Sequence, residues 1–283
     1  MSDLAALLHV RALAINVARA LLIIVALFIP IALLERRQGS DTSRYGTRHF
    51  AHDVAYALFY QSGVYTVLFA SLIGSALQSR LHVLSFNAVG RLPLPVAAVI
   101  YWVVADFLSY WVHRAEHAVP MLWQFHSVHH SNERITFLSS FRNHPVEQAL
   151  INAVLIAPLL VLGVAPHLWL PVYLMQQFFE AVQHAELDWR YGPFYRVLVS
   201  PVFHRLHHSA DRAHFDRNYG KVFSVWDHLF GTALPERTAP AAIGVTGMPS
   251  EPTLLGQFTG PFVRLAGHRV THQNVPTHEE KFP

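Results

Sequence analysis

The sequence predicts an all-α integral membrane helix bundle, with about four to five membrane helices and a helical, histidine-rich di-metal region at its cytosolic end. Three observations lead there. The 283-residue chain is 52% hydrophobic and only 14% charged, where soluble domains carry about 25% charged residues; charge is costly in hydrocarbon, so the deficit points to a membrane. Several apolar runs reach the roughly 20 residues that a spanning helix needs. Finally, the chain has 20 histidines and no cysteine, and many of the histidines fall at helical intervals.

Residues 12–34 form the first run, with Arg19 close enough to one end to snorkel to the headgroups. This run is long, lacks a small-residue cleavage site and ends in Glu35-Arg36-Arg37, so it reads as a retained span and not as a secretory signal. Arg36, Arg37, Arg44 and Arg48 follow it and mark a cytosolic loop under the positive-inside rule. Residues 54–79, without a charged side chain, form the second run, and residues 92–112, broken only by Asp106, the third. The stretch 148–179 has no formal charge apart from any proton on His167, and "GVAPHLWLP" interrupts it. It reads as a helical hairpin turning near 163–167, whose short limbs either span the bilayer or re-enter it. Counting turns from the first loop places residues 113–130, and the chain from 184 onward, in the cytosol; Arg80 and Arg91 in the outer loop run against this. After residue 235, "PERTAPAAIGVTGMPSEPTLLG" reads as an irregular tail. The net charge is +3, and no basic run is long enough for a nucleic-acid groove.

The histidines carry the chemistry. His113 and His117 lie one helical turn apart on one face. "HSVHH" supplies His126, His129 and His130, and "HRLHH" supplies His204, His207 and His208. Each is H-x2-H-H, and on a helix its three imidazoles are expected to point into a common volume. Eight histidines exceed the capacity of one ion, so two metals are the economical explanation. With cysteine absent the ligands must be nitrogen and oxygen, and ligand chemistry leaves iron, zinc and copper open. Asp106 and Tyr110 continue the stripe of His113 and His117, and Asp106 is expected to accept the second ring N–H of a ligating histidine. His9, His49, His52, His82, His167 and the tail histidines read as ordinary surface or interface residues.

"DFLSYWVHRAEH" (106–117), "HSVHH" (126–130), "HRLHH" (204–208), "NYG" (218–220) and "WDHLFGT" (226–232) together resemble the fatty acid hydroxylase superfamily, which includes sterol desaturases. The resemblance runs from about residue 98 to 235. It divides the chain into N-terminal membrane helices (1–97), a catalytic domain of fatty acid hydroxylase and sterol desaturase type (98–235) and a C-terminal tail (236–283). It implies a non-haem di-iron oxygenase whose cytosolic metal domain caps the helix bundle, with zinc as a substitute metal. It also implies a further ligand from the helix between the second and third histidine blocks, where His184 stands in "FFEAVQHAELDW". Glu180, one turn earlier, becomes a direct ligand or a partner of one. His144, in the family-like "FRNHPVE", is a ligand, a residue lining the site or a loop anchor held by Asn143 and Glu147. Many relatives carry asparagine two positions after the histidine at 184, where this chain has Glu186, so the subfamily is left open.

Hydroxylation or desaturation of an unactivated C–H position of a lipid is the activity the resemblance implies. The substrate would be a sterol, fatty acyl chain, carotenoid or ether lipid entering from the bilayer, with O2 as oxidant. Trp102, Phe107, Phe178 and Phe179 are candidates to line its path. No haem, flavin or nicotinamide motif is present, so a ferredoxin, or a cytochrome with its reductase, is expected to bring electrons. Arg134, Arg142, Arg205, Arg212 and Arg217 would give an acidic carrier a basic face. Asp227 is expected to hydrogen-bond a ligating histidine, and Gly220 and Gly231 to permit tight turns. The location implied is a bacterial inner membrane. The competing class is a membrane zinc-dependent lipid hydrolase using the same histidines. A metal transporter would instead need ligands at mid-membrane, whereas these clusters fall at helix ends and beyond.

Overall fold

The computed structural model describes residues 2–70, 80, 88–164, 168–235, 239–245, 248 and 250–267. Nine α-helices carry the described part of the chain, and no named strand occurs among the described residues. They are α1 (Ser2–Gln38), α2 (Arg48–Gln61), α3 (Leu94–Ala118), α4 (Pro120–His130), α5 (Pro145–Leu162), α6 (Trp169–His184), α7 (Pro201–His207), α8 (Val225–Phe230) and α9 (Leu254–Ala266). Among the described residues, three helical stretches are long and apolar enough to cross a membrane: Arg11–Arg37, Leu94–Ala118 and Pro145–Leu162. Their outer faces are apolar, with Leu22 at 70% exposure and Val99 at 58%. That is the distribution lipid contact requires and water penalises.

Local sequence sets the boundaries. Gly39, at φ +78°, ends α1 just after its basic last turn. The second apolar run differs from expectation: its helix α2 stops at Ser62, where Gly63 takes φ +86°. The remainder of that run, 71–79, lies outside the described residues, as do His82, His167 and the tail histidines. Residues 148–179 fall on α5 and α6, with Gly163 at φ +66° just after α5; residues 165–167 of the expected turn lie outside the described residues.

The break between α3 and α4 matters most for the site. Pro120 excludes the preceding residue from the helical region, and Val119 is extended at φ −99°, ψ 113°. The chain therefore bends between His117 and His126, and α4 folds back against α3. A second device fixes α7: the hydroxyl of Ser200 accepts from the Phe203 N–H at 3.0 Å, and Pro201 occupies the first turn.

Apolar packing joins these pieces. One cluster brings Ile24 and Ile31 of α1 against Tyr56, Val128, Phe137 and Ala181. Beneath it lies a fully buried ion pair, Arg142 with Asp53 at 2.6 Å. Asp53 Oδ2 also accepts from Asn132, Thr136 and Ser139. Arg142 is thus structural and does not belong to the expected basic face. Arg205 is largely buried as well and points to Glu186 at 3.8 Å, whereas Arg134, Arg212 and Arg217 are exposed. Glu186 pairs with Arg44, which also meets Glu35 at 2.8 Å. The residue that departs from the family pattern therefore ties the segment after α6 to the end of α1.

The tail is not irregular throughout. Thr253 caps α9, accepting from the Gly256 N–H at 3.0 Å, and α9 packs on α4. Arg264 donates to Gln124 Oε1 and to its carbonyl, both at 2.9 Å, and Phe262 meets Phe125 edge-on at 5.3 Å.

Candidate metal centre

Nine buried histidines gather in two groups. His113, His117, His126, His130 and His207 form one, and His129, His184, His204 and His208 the other; within each, the ligand atoms lie within 4.8 Å of one another. In the first, His130 Nε2 stands 3.2 Å from His117 Nε2, 3.1 Å from His126 Nε2 and 3.0 Å from His207 Nε2. In the second, His184 Nε2 stands 3.3 Å from His129 Nε2 and 3.0 Å from His204 Nε2, which lies 3.2 Å from His208 Nε2. The stacked rings of His130 and His208, with centroids 4.4 Å apart, join the groups.

The H-x2-H-H blocks do not each point into one volume. In both, the first and last histidines serve one group and the middle one serves the other. The cause is helical: consecutive residues project about 100° apart, so the last two rings of a block diverge. Because α4 and α7 face each other, each contributes a pair to one centre and a single ring to its neighbour.

The donor set fits metal. Nitrogens bound at about 2.1 Å to one ion lie about 3.0–3.4 Å apart, depending on coordination angle, which is the spacing found. Ring orientation agrees. The Nδ1–H of His113 donates to the Tyr219 carbonyl at 2.8 Å, that of His207 to Arg217 O at 2.8 Å, that of His184 to Glu180 O at 2.7 Å and that of His126 to Glu147 Oε1 at 2.8 Å. With the proton held at Nδ1, each Nε2 lone pair faces inward. Burial first, and adjacent imidazoles second, keep His126, His129, His130, His204 and His208 well below the usual histidine range. Burial and His117 do the same for His207. Neutral imidazoles converging at this distance repel through their lone pairs unless a cation lies between them.

Several expected roles move to other residues. Asp106 does not touch a histidine: its carboxylate accepts from Val222 N at 2.8 Å, Phe223 N at 3.2 Å and Trp226 Nε1 at 2.8 Å. Asp227 likewise accepts from Tyr219 N and Gly220 N, both at 2.7 Å, and from Thr232 Oγ1 at 2.6 Å. Both aspartates pin the 219–226 loop, whose Tyr219 carbonyl then orients His113. The Glu180 carboxylate pairs with Lys221 at 3.3 Å, and only its main-chain carbonyl serves His184. His144 is not a ligand, because its Nε2–H donates to Phe258 O at 2.9 Å and its Nδ1 accepts from Val146 N at 3.1 Å. It anchors the loop, with its own N–H donating to Glu147 Oε2 at 3.2 Å.

Glu116 and Glu147 are the carboxylates that do meet a histidine. Together with His126 they form a third buried group, with Glu116 Oε2 3.7 Å from His126 Nδ1. Glu116 lies in "AEH" on the helix that carries His113, one residue before His117, and nothing in the sequence pattern marks it. Glu147 belongs to "FRNHPVE", where the adjacent histidine draws the eye instead.

Beside the centre lies a cavity of about 150 Å³, bounded by residues 60–66, α3, residues 140–143, α5, α6 and Lys221. None of the four expected aromatics lines it. Trp102 packs on Phe179 and Phe223, Phe107 on Trp111, Trp226 and Phe230, and Phe178 is 50% exposed. Those side chains fill helix contacts or face outward. A smaller cavity of about 30 Å³ touches His113, His126, His129, His184 and His204 and shares Ser140, Asn143, Ile151, Glu180 and Lys221 with the larger one.

The fold and site define a class: an all-helical protein with helices fit to cross a membrane and a paired, all-imidazole metal centre at their ends. Residues 98–232 match the family model for fatty acid hydroxylases. An ornithine lipid hydroxylase of Rhizobium tropici is 30% identical over 219 residues, covering 75% of this chain and 66% of that protein. Human alkylglycerol monooxygenase is 35% identical over 130 residues, 45% of this chain and 28% of that protein. A very-long-chain aldehyde decarbonylase of Oryza sativa subsp. japonica is 34% identical over 163 residues, 53% of this chain and 59% of that protein. The chain belongs to the fatty acid hydroxylase superfamily. It spans just under two thirds of the ornithine lipid hydroxylase and 33% of the alkylglycerol monooxygenase of Caenorhabditis elegans. No solved structure matches it.

Proposed function

We propose that the chain is a membrane-bound, non-haem di-iron oxygenase that hydroxylates a C–H position of a lipid with O2. The observation that carries this is the pair of imidazole groups, five rings in one and four in the other. Five exceed the four ligands that zinc prefers and suit a metal of higher coordination number, such as iron. The relatives, named as lipid hydroxylase, alkylglycerol monooxygenase and aldehyde decarbonylase, support oxidative lipid chemistry and lend nothing to a zinc-dependent hydrolase.

The nine histidines would hold the two ions, and residues 98–235 would form the catalytic unit. When bound, a di-iron pair supplies O2 activation and C–H oxidation. Overall, a lipid C–H and O2, with two electrons and two protons, would become an alcohol and water. The chain's own part is positional. Glu147, Glu180 O, Arg217 O and Tyr219 O keep protons on Nδ1 and lone pairs on Nε2. Burial of all nine rings keeps bulk water from the centre. The two adjoining cavities, which share five lining residues, lie between the helix bundle and those rings. Electrons would come from a ferredoxin or cytochrome, docking near the exposed Arg134, Arg212 and Arg217 on the cytosolic side of a bacterial inner membrane.

Metal analysis of protein purified without added metal, combined with O2 uptake on reduction, tests this. Two irons per chain and a lipid product heavier by one oxygen are expected. Zinc at full occupancy, with lipid turnover in the absence of O2, would overturn it.

A further inference from the structure

The larger cavity has apolar walls, among them Ile151, Leu155 and Ile156, but polar side chains are set among them. Tyr60, Tyr65, Tyr173, Gln148, Asn152 and Gln176 all line it. Most of these groups satisfy one another or the backbone. Tyr60 OH donates to Asn143 O at 2.7 Å, and Gln61 Nε2 donates to Tyr173 OH at 3.3 Å. Gln148 Nε2 donates to Asn152 Oδ1 at 3.0 Å, and Asn152 Nδ2 to Tyr65 OH at 3.3 Å.

Gln176 is different. It is 7% exposed, and its Nε2 has no acceptor among the described residues. A buried carboxamide N–H ordinarily finds a partner, and Gln176 lines the cavity. Its place on α6 adds direction. Gln176, Glu180 and His184 follow one another at i, i+4 and i+8, so they form one stripe along the helix. Gln176 borders the cavity, Glu180 borders both cavities and His184 borders the metal centre. Eight residues of helix span roughly 12 Å, so a lipid held at Gln176 by one end reaches the imidazoles with the chain that follows.

We propose that this cavity seats the oxygen-bearing head of the lipid substrate, with Gln176 Nε2 donating to a carbonyl or hydroxyl oxygen. This rests on the reading of the chain as a lipid oxygenase and narrows its substrate to lipids that carry a carbonyl or hydroxyl oxygen in the head.

The test is equilibrium binding to the whole protein in detergent micelles without O2, so that no turnover occurs. The probes are N-palmitoylglycine and hexadecane at equal mole fraction in the micelle: one chain length, with and without a head of amide and carboxylate. N-palmitoylglycine is expected to bind at least about tenfold tighter, and Gln176→Leu to remove about tenfold of its affinity while leaving hexadecane unchanged. Gln176→Met, which keeps the length without the donor, is the second variant should Gln176→Leu melt early. Equal affinity for the two probes, or a preference that survives both substitutions, overturns the proposal even in a protein that turns over lipid. A head-group preference lost with Gln176, in a protein that forms no O2-dependent product, keeps this inference and overturns the oxygenase reading instead.

Discussion

His129 and His130 are consecutive in the chain, yet their rings face different metal groups, with centroids 5.5 Å apart and planes at 80°. His130 Nε2 meets the nitrogens of His117 and His207, and His129 Nε2 meets that of His184. On α7 the arrangement is mirrored, with His207 facing one group and His204 and His208 the other. Each short helix therefore spans both centres, and neither centre is complete without both helices.

His129→Ala leaves three imidazoles in the smaller group, whereas His130→Ala leaves four in the larger. Four ligands still satisfy a metal site, while three leave it open and weaker. Both variants are expected to abolish turnover, but His129→Ala to lose more metal per chain by elemental analysis. Equal loss, or greater loss in His130→Ala, would contradict the split between adjacent residues.

Glu147→Gln removes the carboxylate that holds His126 Nδ1 at 2.8 Å. Loss of such an orienting partner typically costs about 10–100-fold in metal affinity or activity. Glu116 is farther from the same nitrogen, at 3.7 Å, so Glu116→Gln is expected to cost less. Competition with a chelator gives both affinities, and the reverse order would show that Glu116 is the principal partner.

The helical spacing of the histidines was legible, because i, i+3 and i+4 lie within about a third of a turn of one another whatever the fold. Their division between two centres was not, since it depends on where α7 lies relative to α4. Asp106 misled for a related reason: it lies on the histidine stripe, but the N–H groups it accepts from belong to Val222 and Phe223, more than a hundred positions away. Glu186 looked like a departure and proves to be the partner of Arg44. The helix α9 left a weak signal, with Thr253 as cap and Leu254, Phe258 and Phe262 at i, i+4 and i+8. Pro261 and the glycines around it hid that periodicity.

Gly220 is required for space. A Cβ there would lie 2.6 Å from the Phe223 carbonyl and 2.9 Å from Asp227 Oδ2, so Gly220→Ala must shift the loop whose Tyr219 carbonyl orients His113. A loss of about 1–3 kcal/mol is expected, together with lower metal content. Gly231 is required for conformation, with φ +72° and open space around its Cβ position. Gly231→Ala is expected to cost about 1–2 kcal/mol in melting measurements without loss of metal. Equal metal content in the two variants would separate the loop from the centre.

Arg142→Leu leaves Asp53 buried and charged among Asn132, Thr136 and Ser139. Removing one partner of a buried pair typically costs about 3–5 kcal/mol. The variant is expected to unfold far below the wild type in thermal melts. A shift typical of a surface arginine, under about 1 kcal/mol, would show that the pair is solvated.

Acid should destabilise the metal-free protein through its histidines. Six rings on and beside α4 and α7 are held well below the ordinary value of 6.5, by burial first and by adjacent imidazoles second. Below about pH 6.5 the unfolded chain takes up protons on these groups that the native state refuses. Their contribution to stability is therefore complete above that pH and is lost as pH falls through it. Asp227, pushed up to about 6 by burial, acts in the opposite sense between pH 4 and 6. Bound metal also requires neutral rings, so protons and metal compete for them. The melting temperature of chelator-treated protein is expected to fall steeply between pH 7 and 5 and to change little between pH 7 and 8. Metal-loaded protein is expected to hold its melting temperature further into acid and then drop as the metal leaves. A flat profile, or stability that rises toward pH 5, would mean that the imidazoles are already protonated in the fold and do not face a common centre.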